Sequence, residues 1–292
     1  MTDTPTEDDG ASTDSDPSTD SDPPIDSDPS AGPRGSAAAA DPPEPDASLG
    51  PGRPTVLVPL AVLEGESLPN GTAELLANAR VVLLGYHVIP EQTAPGQAQL
   101  QFQERAAARL DEYEAIFEEG GATVDRRLVF THDAQKTIDR TIHEHDCMAV
   151  LAPNATGSVG EVLVAVRGTV GVDRLARVVA GVFGVTDAGI TLYHVAETEE
   201  TDEDIGTLLD GVTDRLADLG VDESRIKTRV EREQDPLDAI TATAEAFDAV
   251  VVGETDPSLV TFVFGMPADT VADRFHGPVL VVQREPEPVE DE

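Results

Sequence analysis

From residue 54 onward the chain alternates two hydrophobic patterns. Short runs such as "VLVPL", "VVLLGYHV", "EVLVAV", "ITLYHV", "AVVVG" and "PVLVVQ" are apolar at consecutive positions, as strands covered on both faces are. Between them apolar residues recur at helical spacing. Leu175, Val178, Val179, Val182 and Phe183 trace one stripe that stops at Gly184, and Ile205, Leu208, Leu209, Val212, Leu216 and Leu219 trace a second that ends at Gly220. Asp235 followed by Pro236 marks a third helix start, because the carboxylate accepts from unpaired first-turn N–H groups and proline has none to satisfy. "RIKTRVE" alternates like a less buried strand, and a further helix is expected near Pro267.

Upstream, strands are expected near 55–60, 81–88, 124–130 and 148–152. One helix is carried by Ala106, Leu110, Tyr113 and Phe117, and another by Ile138 and Ile142. Strand and helix in alternation predict an α/β fold of parallel open sheets with right-handed crossovers and helices on both faces.

The pattern repeats itself. "VLVPLA" from Val56 recurs as "VLVAVR" from Val162, "YHV" at Tyr86 recurs at Tyr193, "DAQKTIDRTI" from Asp133 resembles "DPLDAITATA" from Asp235, and "AVLAP" from Ala149 resembles "AVVVG" from Ala249. Four matches in one order indicate two copies of one module. The first copy (51–158) stops after its fourth strand, since only "ATGSVG" precedes the next copy. The second (159–284) continues through a fourth helix to a fifth strand.

Residues 1–50 repeat Ser-Asp-Pro and hold almost no large apolar residue, so an acidic disordered tail is expected there, with a shorter one at 285–292. Thirteen acidic residues against Arg34 give the first tail −12 of the chain's net −38, which leaves −26 for the body. The cations are 17 arginines and only Lys136 and Lys227, a bias that resembles proteins of salt-accumulating haloarchaea. No basic patch suggests nucleic-acid binding. No apolar run reaches the ~20 residues that cross a bilayer, and the acidic N-terminus does not read as a secretory leader. Cys147 is the single cysteine, as fits a reducing cytosol, and it is expected to fill the core. A cytoplasmic, halophilic protein is therefore expected.

With these landmarks in place, residues 54–284 resemble a tandem universal stress protein of the UspA type. "EVLVAVRGT", "ITLYHV", "AFDAVVVGETD" and "GPVLVVQR" carry the resemblance in the second copy. It implies two adenine-nucleotide-hydrolase-like open parallel sheets, the first truncated. In nucleotide-binding members an Asp ends strand one and contacts the nucleoside. After strand four, a loop of spaced glycines followed by Ser or Thr cradles phosphate, since glycine lets backbone N–H groups approach closely.

This chain departs from that pattern. Gly253 matches the first glycine, Asp256 occupies the second, and Gly265 is followed by Met266 instead of a hydroxyl residue. Arg167 replaces the strand-one Asp in the second copy and Ala61 does so in the first. Val166, Arg167, Gly253, Gly265 and Met266 are thus the candidate positions of a degenerate nucleotide site. No cofactor is expected, with ATP or AMP as the alternative.

The resulting expectation is a non-enzymatic regulatory protein of the stress response that binds a partner, against the alternative of an ATP- or AMP-binding module with at most slow hydrolysis. Family members commonly dimerise through strand five, so a homodimer through that strand of the second copy is expected. Some accompany membrane transporters, which places a transporter among the partners the resemblance implies. "LVTFVF" (259–264) is an apolar run expected to be covered. His143 and His145 sit two apart, which points them to different helix faces and argues against a metal pair. His87 and His194 end equivalent strands, as duplication would leave them.

Overall fold

A computed structural model describes residues 52–64, 68–155, 157–167, 171–233, 235–253, 275 and 277–284. Gly265, Met266, the 259–264 run, the helix expected near Pro267 and both tails lie outside the described residues.

In the first half, strand β1 (Thr55–Ala61) is followed by the short helix α1 (Thr72–Leu75), β2 (Arg80–Val88), α2 (Pro95–Glu119), β3 (Thr123–Thr131), α3 (Ala134–Glu144) and β4 (Ala149–Ala152). The second half runs β5 (Glu161–Ala165), α4 (Val172–Phe183), β6 (Gly189–Val195), α5 (Asp202–Asp218), β7 (Ile226–Glu231), α6 (Pro236–Ala244), β8 (Ala249–Gly253) and β9 (Val279–Val282). Local chemistry sets several ends. The side chains of Asp133, Thr201 and Asp235 accept from first-turn N–H groups of α3, α5 and α6. Gly220, just past α5, has φ of 90°, a left-handed conformation that glycine takes without steric cost.

All nine described strands form one sheet in the order β3-β2-β1-β4-β9-β8-β5-β6-β7. Each half is parallel throughout, and the two meet through an antiparallel pair in which Val150 of β4 faces Val281 of β9. The outer strands β3 and β7 are partly exposed and carry Arg126, Arg127, Lys227 and Arg229. Charged residues on an edge discourage pairing with other chains.

This junction occupies the edge at which the dimer was expected. β9 pairs with β8 on one side and β4 on the other, so the strand-five edge expected to receive a second copy is taken up within the chain. The physical reason is the truncation of the first half. Without a fifth strand of its own, β4 would present an open edge, and β9 closes it.

One face of the sheet carries a single apolar cluster that spans both halves, from Leu110, Tyr113 and Phe117 of α2 through Leu151 and Leu280 at the junction to Val178, Val179 and Phe183 of α4 and Leu216 of α5. The other face is divided: Ile138 and Cys147 pack on β1 and β2, whereas Ile240 and Phe275 pack on β5, β6 and β8. Cys147 is fully buried, and burial pushes its thiol up to about 12, so it fills the core as expected. Helix α4 ties the halves together. A Cβ on Gly181 would lie 2.3 Å from Pro54 Cδ, and buried Arg174 donates to the Cys147 carbonyl at 2.9 Å.

Truncation of the fully buried Leu280 tests the junction. Leu280→Ala should cost about 2–5 kcal/mol. Because the core is shared, urea unfolding followed by circular dichroism should remain one transition. Separate transitions for the halves would contradict a common core.

Candidate functional site

In open α/β sheets, ligands bind beyond the carboxyl ends of the strands. In the second half those ends hold Val166 and Arg167 after β5, Ala196 and Glu197 after β6, Arg232 after β7, and Gly253 closing β8. β5 lies between β8 and β6, which places Val166 and Arg167 between Gly253 and Glu197. Of the five sequence candidates, Val166, Arg167 and Gly253 therefore share this edge.

Val166 is buried and both of its backbone groups are engaged. Its N–H donates to the Tyr193 carbonyl at 2.8 Å, and its carbonyl receives Nδ1 of His194 at 2.8 Å. His194 is itself buried, and its Nε2 lies 3.0 Å from Glu200 Oε2. Both ring nitrogens face oxygens, so the ring bridges the Val166 carbonyl and the Glu200 carboxyl. The other end of this bridge is also fixed: the Glu197 N–H donates to Glu200 Oε2 at 2.7 Å. Burial raises the Glu200 carboxyl, but the Glu197 N–H, the His194 ring and the nearby Arg167 together outweigh it and hold the group below the usual carboxylate range.

Arg167 is directed at the same loop. Its Nη2 lies 3.5 Å from Glu197 Oε1. Neighbouring cations are similarly placed: Arg229 contacts Glu231, and Arg232 Nη2 lies 2.7 Å from Asp202 Oδ1. Glu231 also accepts from the Tyr193 hydroxyl at 2.7 Å, a bond that with Arg229 lowers the Glu231 carboxyl. The edge is thus lined by carboxylates, each drawing a cation or a hydroxyl toward itself.

The described strands allow the family comparison. No protein-family model matches the chain, and no curated protein matches it. Among solved structures, a universal stress protein from Archaeoglobus fulgidus DSM 4304 superposes with a TM-score of 0.53 at 18% identity, covering 80% of this chain and 97% of the other. This chain has the universal stress protein fold. A universal stress protein in complex with cAMP matches 44% of the chain at 22% identity and a TM-score of 0.32. One from Archaeoglobus fulgidus in complex with dAMP matches 42% at 19% identity and a TM-score of 0.33.

Within this universal stress protein fold the two halves have unequal edges, and here sequence matching misled. Val56 pairs with Ala149 and Val162 with Ala249, so β1 and β5 hold corresponding places in the two halves. Yet Val56 pairs with Val81, and Val162 with Ile190. Counting from those pairs, Gly85 occupies the place of His194, and the two "YHV" triplets are two residues out of register. A Cβ on Gly85 would stand 2.9 Å from Leu110 Cδ1 and 3.0 Å from Val62 Cγ1, so α2 fills the space. His87 instead meets Phe102 and Phe130 edge-on, with centroids 5.7 and 6.2 Å away. The His194–Glu200 bridge belongs to the second half alone. Sequence reading did not single out Glu200, whose only local signal is its place one residue before the Thr201 cap.

Among the described residues no cluster of His, Cys, Asp and Glu could hold a metal. His143 is exposed, whereas His145 Nδ1 lies 3.2 Å from Asp125 Oδ2, the divergence their spacing implied. No described helix is long and apolar enough to cross a membrane.

The Glu200 bridge has a definite pH signature. A carboxyl lowered in the folded state stabilises the fold above its unfolded pKa, and that contribution is lost as pH falls through the folded value. Glu200→Gln should therefore destabilise the protein by roughly 1 kcal/mol at neutral pH. The difference from the parent should vanish below the usual carboxylate range. Thermal unfolding at stepped pH checks this, and a pH-independent difference would count against the bridge.

Proposed function

We propose that this chain is a non-enzymatic regulatory protein of the universal stress type that works by binding a protein partner, and that it does not take up ATP in the manner of nucleotide-binding members. The observation that carries this reading is the charge at the carboxyl edge of the second half. Arg167 stands where those members have the nucleoside-contacting Asp, and it leans toward Glu197. Glu200 and Glu231 line the same edge as carboxylates whose acid–base equilibria are shifted toward the charged form. In sequence, Glu254 and Asp256 follow Gly253 without an intervening cation. Phosphate oxygens brought here would meet like charge at close range, and molar salt with its ~3 Å screening length weakens such repulsion only beyond contact.

Partner binding is supported by what the fold retains. Each half keeps four parallel strands with their crossover helices, and among the described residues the edge shows no nucleophile paired with a base. We place the protein in the cytoplasm, in keeping with its single buried thiol and acidic surface.

Calorimetry on the full chain with Mg²⁺ in molar KCl tests the nucleotide arm. ATP and AMP should bind no more tightly than pyrophosphate and phosphate, because no adenosine contact is expected. Micromolar AMP binding, with phosphate inert, would overturn this reading in favour of an ATP- or AMP-binding module.

A further inference from the structure

The antiparallel junction turns the first half upside down relative to the second, so the amino ends of β1, β2 and β3 lie along the same side of the sheet as the edge just described. β4, β9 and β8 separate the two places. At these amino ends the surface opens into a basin of about 690 Å³ lined by Arg53, Arg80 and Arg126 with Glu114, Thr123 and Asp125. Strand register brings the arginines together. Arg80 opens β2 opposite Thr55 of β1 and Thr123 of β3, and its N–H donates to the Pro54 carbonyl at 3.0 Å, which sets Arg53 beside it.

The charges in this basin are not equally engaged. Arg126 contacts Asp111 and lies 3.4 Å from Glu114, and Asp125 faces His145. Both lining carboxylates therefore already have a partner. The guanidinium groups of Arg53 and Arg80 form no ion pair or hydrogen bond with the described residues. In a chain of net charge −38 with 57 carboxylates, two arginines brought together with neither drawn to a carboxylate differ from Arg109, Arg177 and Arg215, each of which faces one.

We propose that this basin is a binding site for a small phosphate-bearing anion, held by Arg53 and Arg80 with the Thr123 hydroxyl as a further donor. Two guanidinium forks offer more N–H donors than one carboxylate accepts, whereas phosphoryl groups match them with several oxygens in bidentate geometry. The volume falls within the range of about 300–1,000 Å³ usual for small-molecule sites, so it accommodates more than a single phosphate. High salt removes long-range steering but leaves such direct contacts. The site is independent of the carboxyl edge and carries no consequence for catalysis.

The test is calorimetric titration of the full chain with pyrophosphate, in KCl at a concentration that keeps its circular dichroism native. Saturable binding is expected. Arg53→Gln and Arg80→Gln should each weaken it about ten-fold, the loss of a charge-assisted hydrogen bond, while Arg167→Gln should leave it unchanged. Absence of saturation at millimolar pyrophosphate would overturn the proposal, as would an unaltered affinity in the natively folded Arg53→Gln/Arg80→Gln double variant. AMP separates this outcome from the function proposed above. AMP binding that survives the double substitution belongs to another site and counts against that function, whereas binding lost with the arginines belongs to the basin and leaves it standing.

Discussion

The antiparallel pairing of β4 with β9 is the contact on which the rest of the molecule depends. Open sheet edges are liabilities because their N–H and C=O groups invite other chains, and each half would carry one at this point. Joining them satisfies both and makes one nine-stranded sheet from the two halves. The same contact fixes the polarity of the halves. Strand carboxyl ends of one half lie beside amino ends of the other, and this brings the acidic edge and the arginine basin to one side of the sheet.

The junction also changes what the helices do. On one face α4 lies across the seam, with Gly181 against Pro54 and Arg174 on the Cys147 carbonyl. Its apolar stripe is therefore covered by residues of both modules. The unbroken cluster on that face, set against the divided clusters on the other, means that the two halves share their apolar burial on one face and keep it separate on the other. Burial of this kind is the main favourable contribution to folding, so the shared face couples the halves energetically as the sheet does topologically.

Electrostatics then separates surface from sites. Over most of the body, carboxylates outnumber cations and the arginines are drawn to them, as Arg177 and Arg215 are to Asp173. At the second carboxyl edge this tendency continues to the place where the fold would otherwise receive a ligand, and Arg167, Arg229 and Arg232 each face an acid. The basin instead sets Arg53 and Arg80 together with neither drawn to a carboxylate among the described residues, and its chemistry differs accordingly.

The sequence by itself determined the elements and their kind. Apolar runs at consecutive positions marked strands buried on both faces, helical stripes such as Leu175 to Phe183 had one face to bury, and Asp133 and Asp235 fixed helix starts by local hydrogen bonds that need no distant partner. Tertiary structure alone decided the rest. Which edge β9 would close depends on the missing fifth strand of the first half, a relation between segments far apart in the chain. The match between the "YHV" triplets failed because pairing register is set by packing across strands, where Leu110 fills the space beside Gly85. The His194–Glu200 bridge and the meeting of Arg53 with Arg80 join residues whose nearness exists only once the strands are side by side.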